Sequence, residues 1–342
     1  MTKRRKDEHF DEVAADLMTL PENAAIDYNN SYYFAAHDME GNAFFYRLGQ
    51  RGGVNGPVAE IWFGFQTHDG KMYMNSQMLY ELDKSPCKVK CIEPLKKWEF
   101  TFNGAMVPVK PGEDLIAEPC GKEVNVEFSG IFTSSEGIFE FGRDTHVDTF
   151  SAAIAAEKWT KEFKENLKSV RSQKRTEQFG YVESKVKVEG KEYAINATSI
   201  RDQAFGKRIW SDMNHYSWLV GGLQDETCFN LVTVYYPILN KVGLATGYHL
   251  KNKEYVPLVE SQFPKEQKLA GIAPTSGVAT AKFADKTTCK VEFDTTIIFP
   301  YVFTDEHGGY NVFECISTFN FNGVKGAGIT EWSYNQDRSR LL

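Results

Sequence analysis

Cysteine is scarce in this chain: six residues in 342, at Cys87, Cys91, Cys120, Cys228, Cys289 and Cys315. So few, so far apart, exclude a disulfide framework. Cys87-x-x-x-Cys91 is the one close pair, and it lacks the further Cys/His set of a zinc site, so reduced thiols are expected. No stretch reaches the ~18–20 uninterrupted apolar residues of a membrane-spanning helix. The opening Met1-Thr2-Lys3-Arg4-Arg5-Lys6-Asp7-Glu8 passes from basic to acidic without the apolar segment of a signal peptide, so a cytoplasmic location is expected. Positive charge is not in surplus either: Lys+Arg number 39 against 46 Asp+Glu, a formal net charge of -7. That leaves no electrostatic footprint for a phosphate backbone, and nucleic acid is not an expected partner. Walker loops, G-x-G-x-x-G turns, G-x-S-x-G elbows and H-E-x-x-H helices are all missing, which removes the common cofactor and hydrolase classes. The seven histidines (His9, His37, His68, His146, His215, His249, His307) show no metal-ligand spacing. Neither a metal nor a cofactor is expected.

What the chain has in quantity is aromatic surface, with 25 Phe, 16 Tyr and 6 Trp. Its length accommodates two domains or one large β domain. Phe10, Val13, Ala14, Leu17 and Met18 fall at helical spacing before Pro21, predicting a short leading helix. Strand patterns then dominate: Ala43 to Leu48, Val58 to Gln66, Lys71 to Tyr80, Trp98 to Asn103 and Glu123 to Phe132, separated by Gly-, Asn- and Asp-rich turns. Phe150, Ile154, Trp159, Phe163, Leu167 and Val170 predict one connecting helix. Its polar tail, Ser169 to Gln178 with Arg171, Lys174 and Arg175, reads as a solvated linker. Strands resume from Tyr181 to the end, with Asn322-Gly323 as a strong hairpin turn. The expected division is a leading arm (1–24), a first β domain (25–144), a connecting helix and linker (145–178) and a second β domain (179–342). Closed barrels or sandwiches fit this pattern better than a propeller or solenoid.

The densest polar constellation runs from Ile200 through Arg201-Asp202-Gln203-Ala204-Phe205-Gly206-Lys207-Arg208-Ile209 to Trp210, followed by Asn214 to Leu223. Charges alternating with aromatics and glycines suit a loop folded against apolar walls. An ion pair of Arg201 with Asp202 or Glu331 would hold it; that clamp is either a plug at a barrel end or a direct ligand contact. Glu60, in a strand beside Trp62, is either a solvent-facing acid or an inward one with a raised pKa that keeps its proton near neutrality.

The core Arg201-Asp202-x-x-Phe205-Gly206-x-Arg208-x-Trp210 resembles the signature of the carotenoid hydratase / hydroxyneurosporene synthase-like group of lipocalin-related (calycin) proteins. Asn30 to Asp38 leading to Ala59-Glu60-Ile61-Trp62-Phe63-Gly64, and Ala156-Glu157-Lys158-Trp159, resemble the same group. The likeness spans about residues 25–335. Gln203 and Ala204 stand where the signature has His and Ser, so acid/base chemistry of that His is not carried over. The resemblance implies an all-β fold of two tandem lipocalin-like antiparallel barrel or sandwich domains, with an apolar pocket in or between them. It also implies a hydrophobic small molecule as partner, handled without a redox cofactor.

Two functions compete on these residues. One is a non-redox hydratase, isomerase or cyclase of an isoprenoid, polyketide or lipid, with Glu60, Asp202 and Glu331 as candidate catalytic carboxyls. Tyr33, His37, Tyr46, Trp62, Arg201, Trp210, His215, Trp218, Tyr248 and His249 are its candidate ligand-binding residues. The other is a carrier that holds a lipid or pigment in a barrel and needs no catalytic group. A third reading is an interaction module whose pocket is filled by side chains. Residue spacing carries no signal for oligomeric state.

Overall fold

The structure, a computed structural model, describes residues 11–54, 56–170, 173–264, 271–305 and 308–341. The chain is mostly β and falls into two compact units, the first comprising 1–110, 119–144 and 173–208 and the second 111–118, 145–172 and 209–342. Phe10, where the leading helix was expected to begin, lies outside the described residues, as does Arg171 of the expected linker. Within them helix α1 is Glu12–Asp16, capped by the Asp11 side chain accepting from the Ala14 N–H.

The first unit is built on β1 (Tyr28–His37), β2 (Ala43–Arg51), β3 (Val58–Gln66), β4 (Met72–Asn75), β5 (Leu79–Glu81), β6 (Cys87–Glu93) and β7 (Lys97–Pro111). β8 (Ala117–Pro119) follows, then β9 (Val124–Thr133), β10 (Phe139–Glu140), β11 (Lys174–Val188) and β12 (Lys191–Lys207). β9 pairs with β7 along one edge and with β11 along the other. The path β11-β12-β1-β2-β3-β4-β7-β9 therefore returns to β11 as a ring of antiparallel strands. Alternate residues point inward and fill it with rings, including Phe34, Phe44, Tyr46, Phe63, Phe100 and Phe128. Phe34 and Phe100 stack with centroids 4.1 Å apart. Such pairs contribute about 0.5–1.5 kcal/mol each beyond the area they bury.

The second unit is a closed eight-stranded barrel: β13 (His215–Leu223), β14 (Cys228–Tyr236), β15 (Leu239–Lys251), β16 (Glu254–Gln262), β17 (Ser276–Phe283), β18 (Thr288–Asp305), β19 (Gly308–Phe321) and β20 (Val324–Asn335). The hairpin expected at Asn322-Gly323 joins β19 to β20, both residues having positive φ (50° and 92°), as a type I′ turn demands.

Two expectations are corrected. The single connecting helix is α3 (Val147–Ala155) and α4 (Lys161–Val170), which follow a one-turn α2 (Phe141–Asp144). The break has a local cause: Thr160 accepts the Phe163 N–H through its hydroxyl and starts a new helix, while the Trp159 indole N–H donates to the Ile154 carbonyl. The boundary at 178/179 also fails, because residues 174–188 are strand β11 and both β11 and β12 belong to the first unit, where β12 pairs with β1. Of the expected linker charges, Arg175 is structural: it binds Asp202 and Glu177.

Candidate functional site

In the first unit β1, β2 and β3 are buried on both faces. One face is the aromatic interior. On the other, cross-strand register aligns Glu177, Asp202, Tyr33, Arg47 and Trp62 in one row across β11, β12, β1, β2 and β3. The next row on that face is Arg175, Ala204, Ser31, Gly49 and Glu60. Arg47 lies over the Trp62 ring at 4.3 Å and bridges back to Glu60, its Nη1 donating to Oε1 at 2.7 Å. Arg51 donates to Oε2 of the same carboxylate at 3.2 Å. Gly49 makes room for this, since a Cβ there would sit 2.7 Å from Arg47 Nη1.

These contacts correct the expectation of a protonated Glu60. Burial alone would push its carboxyl up, but Arg47 and Arg51 outweigh burial and hold it below the ordinary carboxylate value. Glu60 is an anion clamped by two guanidinium groups, and Asp202 is likewise bound by Arg175.

Arg201 faces the other way, into the ring, opposite Phe34. Its ion-pair partner is neither Asp202 nor Glu331 but Asp16 of α1, 2.6 Å away and as deeply buried. Tyr46 is interior too, its hydroxyl against the Lys88 and Thr101 carbonyls. His37 ends β1, where its Nδ1 accepts the Met39 N–H at 2.9 Å and burial drives its pKa down to about 4, with Asp38 opposing. Tyr46 does not join the charged face, and His37, on that face by alternation, lies at the end of β1 beyond its charged rows.

In the second unit Trp218, Glu331 and Glu314 stand directly opposite one another on β13, β20 and β19. All three are buried, and the Ser333 hydroxyl donates to Glu331 Oε1 at 2.9 Å. Two carboxyls side by side are the arrangement from which acid–base pairs are drawn. His215 points into the barrel, its ring stacked on Tyr334 at 4.7 Å. Its Nδ1 lies 3.0 Å from the Ser333 carbonyl, which only accepts, so Nδ1 carries a proton, and Nε2 shares a hydrogen bond with the Ser217 hydroxyl at 2.9 Å. His249 sits between Phe283 and Phe321, its pKa lowered by burial and then by Lys251. Tyr248 packs edge-on against Tyr255, and Trp210 stacks on Phe303. An open depression of about 410 Å³ at the β17–β18 end is lined by Glu260, Lys282 and Lys290 among others, and none of these candidates borders it.

Sequence reasoning missed Arg47, Arg175, Glu314 and Ser217. Strict alternation would have placed Arg47 on the face opposite Phe44 and Tyr46, but only register shows it beside Glu60. Among the described residues no group of three or more His, Cys, Asp or Glu is placed to hold a metal, and no helix is long and apolar enough to cross a membrane.

A family model described as "Domain of unknown function (DUF7064)" matches residues 12–336. No curated protein matches the sequence. Among solved structures, the chain is similar to a Nitrosomonas europaea protein assigned as AttH, with a TM-score of 0.54 at 9% identity over 92% of this chain and 96% of that one. It is similar to CghA, seen with Sch210972, with a TM-score of 0.51 at 8% identity over 91% and 89%. Kievitone hydratase from Nectria haematococca gives 0.48 at 11% identity over 94% of each chain. Likenesses at this identity are likenesses of fold.

Proposed function

We propose that this chain, which belongs to the DUF7064 family, is a cofactor-independent enzyme that hydrates, isomerises or cyclises an apolar isoprenoid, polyketide or lipid-type molecule. The observation that carries this reading is the Glu331–Glu314 pair, two buried carboxyls in direct register beside the indole of Trp218. Hydration, and isomerisation or cyclisation started by protonation, need a proton delivered to or taken from carbon, and a carboxyl against an aromatic wall supplies it. An indole face also stabilises positive charge developing on carbon, by about 0.5–2 kcal/mol. Glu331 is the proton donor in this reading, with the Ser333 hydroxyl fixing its orientation. Glu60, held ionised by Arg47 and Arg51, acts as a fixed charge and not as an acid, and Asp202 is tied up by Arg175.

The resemblance of residues 196–210 to the carotenoid hydratase signature supports an extended apolar substrate. The fold shared with CghA, a protein seen with Sch210972, is compatible with it. The test begins with extraction of whatever apolar molecule travels with the protein from its source cells, identified by mass spectrometry. A pair of molecules differing by water, or of equal mass and different connectivity, is expected, and Glu331→Gln should slow their interconversion about 10²–10⁴-fold while binding persists. A single unmodified molecule at unit stoichiometry, unchanged on incubation, would establish a carrier instead.

A further inference from the structure

The end of the first unit closed by α1 carries an arginine that its partner satisfies poorly. Arg201 is fully buried, yet of its guanidinium only Nη2 makes an aligned hydrogen bond among the described residues, to Gln178 Oε1 at 3.3 Å. Nη1 lies 2.6 Å from Asp16 Oδ1 without alignment, and both of those atoms, together with Arg201 Nε, lack a hydrogen-bond partner among the described residues. Two further buried polar atoms there have none: Trp98 Nε1, on the ring that Arg201 overlies at 5.0 Å, and Gln203 Oε1, two residues along β12 on the same inward face. The site thus offers three unsatisfied N–H donor groups, and the Leu95 N–H adds a fourth, engaged by Asp16 Oδ2 at 2.6 Å. A guanidinium fork is matched by a planar carboxylate meeting it with two oxygens. One side-chain carboxylate tethered to α1 does not achieve that.

The segment that delivers Asp16 is weakly held. Helix α1 has five residues, too few to be stable alone. Val13 and Leu17 are about half exposed, and Ala15 is the one buried apolar side chain of the helix. Its ties are polar: Asp16, the Met18 carbonyl accepting from Asn30 and Tyr32, and Glu12 on Arg143.

We propose that the Arg201 end of the first unit is a carboxylate-binding site, with Asp16 as its built-in occupant and a free carboxylate as competitor. The competitor's carboxylate meets the Arg201 fork and the Trp98 N–H, and the rings of Trp98 and Tyr32, 5.5 Å apart, flank its apolar part. The site draws only on residues of the first unit, and its test does not depend on any turnover.

The experiment uses the full-length protein with sodium octanoate as probe and sodium phosphate at matched ionic strength as control, read by thermal melting and titration calorimetry. Asp16→Asn keeps the shape of the occupant and removes its charge. It should bind octanoate at least tenfold more tightly than wild type, and the double variant Asp16→Asn/Arg201→Gln should lose that binding. A response to phosphate equal to that to octanoate would overturn the assignment to carboxylates. Equal octanoate affinity in wild type and Asp16→Asn, or binding that survives in the double variant, would overturn the site itself. Should Asp16→Asn not fold, hydrogen exchange of wild type decides: octanoate should accelerate exchange across residues 11–20, and unchanged exchange at saturating octanoate refutes displacement.

Discussion

Single residues set the acid sensitivity of this protein, and two of them act with known sign. Native His37 is neutral, with its pKa down at about 4, whereas the unfolded chain takes up a proton near 6.5. Its contribution to stability is therefore full above 6.5, falls as the pH drops towards 4, and levels off below; the span corresponds to roughly 3 kcal/mol. His37→Asn keeps an acceptor for the Met39 N–H and should flatten the pH dependence of the melting temperature over that window; an unchanged slope would assign the sensitivity elsewhere. Glu60 acts lower. Its native pKa is depressed, so its contribution is present above the ordinary carboxylate range and is lost as the pH falls below it. Glu60→Gln leaves Arg47 buried without its anion, and denaturant melts at neutral pH should show a loss of about 3–5 kcal/mol. The sequence places Glu60 in a strand beside Trp62, but the sign of its pKa shift depends on Arg47 and Arg51 of the neighbouring strand, which no local pattern reveals. Arg201 stands out in sequence for the same reason that its partner does not: Asp16 lies far upstream in a helix of unremarkable composition.

At the scale of elements, glycine decides where the first ring can close. Gly130 on β9 lies opposite Phe100 on β7, and a Cβ at Gly130 would come within 2.5 Å of that ring. The ring lies over the bare backbone and stacks on Phe34 from there. Gly130→Ala would drive Phe100 off its stack at a cost of about 1–3 kcal/mol, read as a lower denaturation midpoint; a neutral result would show that β9 yields instead. Elements with a strong period or a strict turn were legible. Trp98/Phe100/Phe102 alternate and do face inward, and the Asn322-Gly323 hairpin forms where positive φ is cheap. The break between α3 and α4 was not, because the apolar spacing continues across it and only the capping hydroxyl of Thr160 marks it.

For the whole molecule, the all-β class was legible and the partition was not, since strand pairing across long separations leaves no trace in periodicity. β11 and β12 follow two helices in sequence and yet complete the first unit. A fragment ending at residue 178 lacks β12 and most of β11, leaving β1 and β9 with unpaired edges. It should show no cooperative thermal transition by circular dichroism; a sharp melt would mean that the ring closes without them. The pairing of Tyr28 with Lys207 also imposes a wait during synthesis. At the ~5–20 residues per second of translation, roughly ten to forty seconds separate the emergence of β1 from that of its partner. Throughout that interval a strand whose two faces both end up buried stands open to solvent or to whatever shields it. The nascent chain, more than the finished protein, is where this architecture is most exposed to aggregation and most dependent on chaperones.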